Sequence, residues 1–109
     1  MAEIRILTSA DLYELLLETG DVQVLDVRTP EEFAAGHIDG AVLVPYDQIS
    51  SWPQAFDQDA PTAVICKAGV RAIHAAAVLD SMTDGELLVV AEGGVLDWPS
   101  LGGQLVTGE

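Results

Sequence analysis

Short apolar runs alternate along the chain with segments whose apolar residues recur every three to four positions, a pattern that predicts a parallel α/β sheet. Residues 4–7 read as a first strand. Thr8 and Asp11 are spaced as a capping box opening a helix over 9–19, with Gly20 closing it and Leu12, Tyr13, Leu15 and Leu16 forming its apolar stripe. A buried strand is expected over 22–27, carrying Asp26 near its end and Arg28 just beyond. Pro30 then starts a short helix through Glu32, Phe33 and Ala35 that stops at Gly36. Residues 41–44 give a third short strand halted by Pro45, and 47–56 an irregular helix interrupted at Pro53.

Further along, Pro61 precedes a strand at 62–65, with Cys66 at its end. The helix expected over 71–82 is rich in small residues (Ala72, Ala75, Ala76, Ala77), which allow close approach to a sheet. Residues 87–91 form the last clear strand, Gly93-Gly94 leads into a short helix around 96–98, and the glycine-rich end carries Leu105 and Val106. There is no internal repeat, low-complexity tract or linker-like stretch, so residues 1–109 read as one continuous domain.

Composition narrows the function classes. Half of the 109 residues are apolar, enough for a core that buries roughly two-thirds of the unfolded surface. Eighteen Asp and Glu against four Lys and Arg give a formal net charge of −14, which argues against nucleic acid and against anionic membrane surfaces. Charge runs such as Glu31-Glu32 and Asp57 with Asp59 read as solvated faces. No apolar run approaches the ~18 residues that span a bilayer. The opening Met-Ala-Glu-Ile-Arg lacks the basic and apolar regions of a secretory signal, and a lone cysteine allows no internal disulfide. A cytoplasmic, reducing location is therefore expected.

Against that acidic background, two of the four basic residues fall in one stretch, Cys66-Lys67-Ala68-Gly69-Val70-Arg71, which also holds the cysteine. It sits where a strand hands over to a helix, the place where open parallel sheets bind ligands. Gly69 can take positive φ and curl the loop so that successive N–H groups face inward, while the following helix adds its positive end. Nearby cations and a helix N-terminus favour the thiolate, the reactive form of cysteine. Arg71 can either hold the loop or donate to an oxyanion in a bidentate way. Alone, a single cysteine also reads as a packed core residue closing a strand. The basic neighbours and the strand–loop–helix context shift the reading to a nucleophile in an anion-binding loop.

Other candidates have plainer readings. Arg28 is expected to pair with Glu32 or Asp26, His37 to be a hydrogen-bonded packing residue, and His74 to face solvent. Trp52 and Trp98 read as packing, with Trp52 a candidate for the pocket mouth. No spacing of His and acidic residues suits a metal, and no cofactor is implied.

Taken together, these residues resemble the rhodanese family. The matching motifs are Asp26-Val27-Arg28, Glu32-Phe33, Gly36-His37-Ile38-Asp39-Gly40-Ala41, the loop from Cys66 to Arg71 followed by Ala72, and Gly93-Gly94 with Trp98. The resemblance implies a three-layer α/β/α domain with a five-stranded parallel sheet. It also implies a thiosulfate:cyanide-type sulfurtransferase in which Cys66 takes sulfane sulfur as a persulfide and passes it to cyanide or a thiol. Lys67, Ala68, Gly69, Val70 and Arg71 would form the substrate-binding loop. Four residues separate Cys66 from Arg71, the count of sulfurtransferases; the related phosphatases carry one more and typically have histidine where this chain has Ile65. Many single-domain members have polar side chains at the positions of Ala68 and Val70, so a protein persulfide or a mercaptopyruvate-like thiol is an alternative donor to thiosulfate. The alternative function is a non-catalytic or persulfide-carrying module that docks on a partner protein.

Overall fold

The computed structural model describes residues 3–49 and 56–108. Five parallel strands form its sheet: β1 (Ile4–Thr8), β2 (Gln23–Asp26), β4 (Val42–Leu43), β5 (Thr62–Ile65) and β6 (Leu87–Glu92). Their spatial order is β1-β6-β5-β2-β4, with Thr62 to Val64 in register with Leu87 to Val89 on one side, and Thr62 to Ile65 with Gln23 to Asp26 on the other. The predicted parallel sheet is present, and β5 is its central strand.

Side chains along each strand alternate between two apolar layers. On one face, Leu25, Val64, Leu87 and Val89 pack against helix α3 (Val70–Leu79). Ala72, Ala75, Ala76 and Leu79 supply its inner stripe, spaced to lie on one helical face. On the other face, Val24, Ala63, Ile65, Leu88 and Val90 meet Leu12 of helix α1 (Ser9–Glu18) together with Val95 and Trp98 from the C-terminal turns. Those turns are two short 3-10 segments, Val95–Asp97 and Pro99–Leu101. Trp98 is buried and meets Tyr13 edge-on at 5.4 Å. The result is the three-layer α/β/α arrangement with a five-stranded parallel sheet.

Local chemistry explains most boundaries. Thr8 and Asp11 form the expected capping box at the start of α1. Helix α1 ends differently from expectation: Thr19 caps it in extended conformation, and Gly20 takes no left-handed turn. Helix α2 (Pro30–Ala35) carries a second box, Thr29 with Glu32, alongside the expected Pro30. Helix α3 ends three residues short of the expected Met82, where the Met82 N–H turns back to the Leu79 carbonyl at 2.8 Å. The strand expected over 41–44 contracts to Val42–Leu43. Of the irregular helix expected over 47–56, one 3-10 turn at Tyr46–Gln48 is present; residues 50–55, Trp52 among them, lie outside the described part. A small antiparallel ribbon joins β3 (His37–Ile38) to β7 (Leu105–Val106) and ties the C-terminal end beside α2.

Strand order reverses at one place. The chain leaves β2 for β4 on one side, then returns to β5 and continues to β6 on the other. The carboxyl ends of β2 and β5 therefore flank the crevice that such sheets use for binding. Cys66 follows β5 there, and Arg28 follows β2.

Candidate active site

The backbone ladder persists up to the mouth of the loop, where the Val27 N–H donates to the Ile65 carbonyl at 3.0 Å. Cys66 comes next and is only 1% exposed. Its Sγ accepts the Gly69 N–H at 3.0 Å and the Ala72 N–H at 3.4 Å. Gly69, which precedes α3, has no side chain to cap it. The sulfur takes that role by accepting the N–H of the third helical residue. Two backbone N–H donors and the N-terminal end of α3 thus converge on the sulfur.

The loop's carbonyls point the other way. The Cys66 carbonyl accepts the Val95 N–H at 2.9 Å and the Lys67 carbonyl accepts the Leu96 N–H at 3.2 Å. This is why Gly94 matters: any Cβ there would overlap both carbonyls. With its carbonyls tied outward, the loop turns the Gly69 and Ala72 N–H groups toward the sulfur, while Val70 and Arg71 open α3, where N–H groups have no intrahelical acceptor.

Gly69 makes that curl, with φ +113°, and a Cβ on it would run into the Ala91 backbone carbonyl. Gly69→Ala is expected to cost about 1–3 kcal/mol from left-handed strain alone, and more from that overlap. Thermal denaturation should show the loss, and iodoacetamide alkylation of Cys66 should show the cradle opening as a changed rate.

The six loop residues split into two sets. Lys67, Ala68 and Val70 are exposed, whereas Cys66 and Gly69 are buried and Arg71 is half-buried. Arg71 turns its guanidinium to Glu32 in a bidentate pair, Nη1 to Oε1 at 2.7 Å and Nη2 to Oε2 at 3.0 Å. Of the two roles open to it in the sequence, the geometry gives Arg71 the holding one. The same Glu32 caps α2 by accepting the Thr29 N–H at 3.0 Å, so one carboxylate braces both the helix and the loop. Arg71's hydrogen bonds hold Glu32 down to about 2 and, reciprocally, push Arg71 further up. Because Glu32 is depressed when folded, its contribution is complete above the ordinary glutamate range and disappears as pH falls through about 2. Glu32→Gln should therefore lower stability at pH 7 and flatten the loss of stability between pH ~5 and ~2, measured by urea denaturation at each pH.

Arg28 pairs with Asp26, not Glu32. Its Nε donates to Oδ1 at 2.9 Å, its Nη2 to Oδ2 at 2.7 Å, and Nη2 also reaches the Gly36 carbonyl at 2.8 Å. His37 is buried, contacts the Phe33 carbonyl through Nδ1 at 2.8 Å and stacks on the Phe33 ring, as a packing residue should. His74 is exposed, with Nδ1 3.5 Å from the Tyr46 hydroxyl. Among the described residues, no three His, Cys, Asp or Glu side chains converge to hold a metal, and no helix is long and apolar enough to cross a membrane.

Two site features escape the sequence reading. Glu32 as the partner of Arg71 has no local signal, being 39 positions away. The strut formed by Val95 and Leu96 is signalled only by the Gly93-Gly94 pair.

A cysteine at the switch point of a parallel sheet, held by N–H groups of a glycine-shaped loop, defines an α/β domain built around a buried sulfur. The chain belongs to the rhodanese-like domain family, whose model matches residues 8–100. It is 32% identical over 101 residues to a sulfurtransferase of Allochromatium vinosum, covering 93% of this chain and 94% of that protein. It is 38% identical over 79 residues to the thiosulfate sulfurtransferase GlpE of Pseudomonas putida, covering 72% of this chain and 71% of that one. The crystal structure of a rhodanese-like domain protein from Staphylococcus aureus superposes with a TM-score of 0.79 at 32% identity, covering 96% of this chain and 99% of that one.

Proposed function

We propose that this member of a sulfurtransferase family takes sulfane sulfur onto Cys66 from a thiosulfate-like donor and passes it to a thiophilic acceptor, cyanide or a thiol. The observation that carries this reading is the opposed orientation of the loop: N–H groups on Sγ, carbonyls bonded outward to Val95 and Leu96. Cys66 Sγ attacks the outer sulfur of the donor, an S–S bond forms, and sulfite leaves with the electron pair of the broken bond. The outer sulfur of the persulfide then lies at the start of α3, where the N–H groups of Val70 and Arg71 stabilise its charge. Lys67 supplies positive field at the entrance, Ala68 and Gly69 complete the backbone cradle, and Arg71, braced by Glu32, holds the loop's shape.

The persulfide requires a free thiol, and a reducing compartment such as the cytoplasm would suit that requirement. The family match over residues 8–100 supports reading residues 1–109 as a single rhodanese domain. Incubation with thiosulfate, removal of excess donor and measurement of intact mass test the proposal: a one-sulfur adduct is expected, absent after alkylation of the thiol. No adduct with thiosulfate or any other sulfane donor would defeat it.

A second reading, sulfur carriage on behalf of a docking partner, is favoured by one observation. The exposed side chains at Ala68 and Val70 offer no donors to thiosulfate. Rapid sulfur uptake from a cysteine desulfurase, with slow thiosulfate turnover, would favour carriage.

A further inference from the structure

The outer edge of β1 has no strand beside it among the described residues. On its inner edge β1 pairs with β6, where the Leu87 N–H donates to the Glu3 carbonyl at 2.7 Å. In a parallel ladder alternate residues bond to one neighbour, so Arg5 and Leu7 face β6 with Glu3, and Ile4 and Ile6 turn their N–H and C=O groups outward. Ile4 and Ile6 are also 47% and 63% exposed. Their side chains share a face with Leu87 and Val89, but α3 lies over β5 and β6 and leaves these two uncovered. An open edge with apolar side chains is a template for another strand.

On the opposite face, α1 lays an acidic row along the same edge. Asp11, Glu14 and Glu18 line a groove of about 410 Å³ beside Arg5, Ile6 and Leu7. These carboxylates are exposed and have no salt-bridge partner among the described residues; Arg5, the cation in the groove, lies 3.5 Å from Glu86. Glu14 and Glu18 are one helical turn apart, about 6 Å along the axis, close to the ~6.6 Å between alternate residues of a strand. A strand laid against β1 therefore meets apolar surface on one face and a row of carboxylates on the other. A second copy of this chain fits poorly. A continuous antiparallel sheet would set both α1 helices on one face, carboxylates toward carboxylates, and each copy carries a net charge of −14.

We propose that the β1 edge accepts an extended segment of a partner protein with alternating apolar and basic side chains, added to the five-stranded sheet as a further strand. Its apolar side chains cover Ile4 and Ile6, and its Lys or Arg side chains pair with Asp11, Glu14 and Glu18. Backbone bonds to the outward N–H and C=O groups of Ile4 and Ile6 hold the segment, and the two faces select it. β6 separates this edge from β5 and the Cys66 loop, so docking leaves the sulfur open, and the proposal does not rest on the persulfide reading.

The test uses the isotopically labelled full chain and a fluorescent peptide of about seven residues alternating lysine and valine, long enough to match the five residues of β1. In the free protein the Ile4 and Ile6 amides should exchange with solvent faster than those of Arg5 and Leu7. Saturating peptide should slow both by about tenfold or more. By fluorescence anisotropy, Glu14→Gln combined with Glu18→Gln should weaken binding about threefold to tenfold, the scale of two exposed ion pairs, and added salt should act in the same direction. Ile6→Pro removes an outward N–H without touching the ladder to β6, and should weaken binding further. A peptide of the same composition with its lysines and valines in separate blocks should bind about tenfold more weakly or less, as should one alternating glutamate and valine. Equal binding of the blocked peptide would overturn the proposal, leaving charge attraction alone. So would peptide binding that leaves the Ile4 and Ile6 amides unprotected, or their protection without peptide in a dimer seen by sedimentation.

Discussion

Cys66→Ser is expected to abolish the one-sulfur adduct and to lower turnover with any sulfane donor by roughly 10⁴-fold or more, the scale seen when a nucleophile is removed. The fold should survive the change. Cys66 is buried at the end of the central strand, and serine is close to it in shape with an oxygen able to accept the Gly69 and Ala72 N–H groups. The α3 cap is thereby retained. The chemistry is not, because a serine hydroxyl is a weak nucleophile at neutral pH and both histidines are engaged elsewhere. His37 is engaged with the Phe33 carbonyl, and His74 contacts the Tyr46 hydroxyl on an exposed helix face. Intact mass after thiosulfate treatment checks the first expectation, and thermal denaturation checks the second. A serine variant that still gained sulfur would place the acceptor atom elsewhere.

The largest loss of stability is expected from Asp26→Ala. Asp26 is fully buried and Arg28 is 5% exposed, so truncation strands a guanidinium whose remaining partner among the described residues is the Gly36 carbonyl. Removing one member of a buried pair costs about 3–5 kcal/mol. For a chain of this size that corresponds to a fall of roughly 12–20 °C in Tm. The loss should reach the site as well. Arg28 ties the end of β2 to the turn after α2, and α2 carries the Glu32 that braces Arg71. Replacing both members together, as in Asp26→Leu with Arg28→Met, removes the stranded charge and should recover much of the stability. Urea denaturation of the single and double variants separates these outcomes.

Much of the architecture is legible one segment at a time. The runs at 62–65 and 87–91 are apolar at every position but Thr62 because both faces of a central parallel strand are covered, and they appear as β5 and β6. Thr8 with Asp11, and Pro30 at a helix start, work within one turn of backbone and so announce themselves locally. The same holds for Gly69: only glycine readily takes the positive φ that turns a strand end into a helix start, so its presence after Cys66 marks the curl. The site's core, a cysteine on that loop, follows from neighbours in sequence.

Features made by distant segments are not legible in this way. The two-residue strands His37–Ile38 and Leu105–Val106 are too short to show an alternation, and they pair only because the chain's end returns beside α2. Gly20 has the residue type of a helix stop, yet Thr19 in extended conformation closes α1 before it is needed.

The sequence by itself determined the parallel α/β plan, the position of Cys66 at a strand end and the glycine that shapes its loop. Each depends on hydrophobic period or backbone sterics within a few residues. Only the tertiary structure decided what the cations do. It gives Arg71 to Glu32 and Arg28 to Asp26, and leaves Lys67 exposed on the loop. Charge pairing is a matter of distances of a few ångströms, and for Arg71 it is the folded chain that brings together groups 39 positions apart.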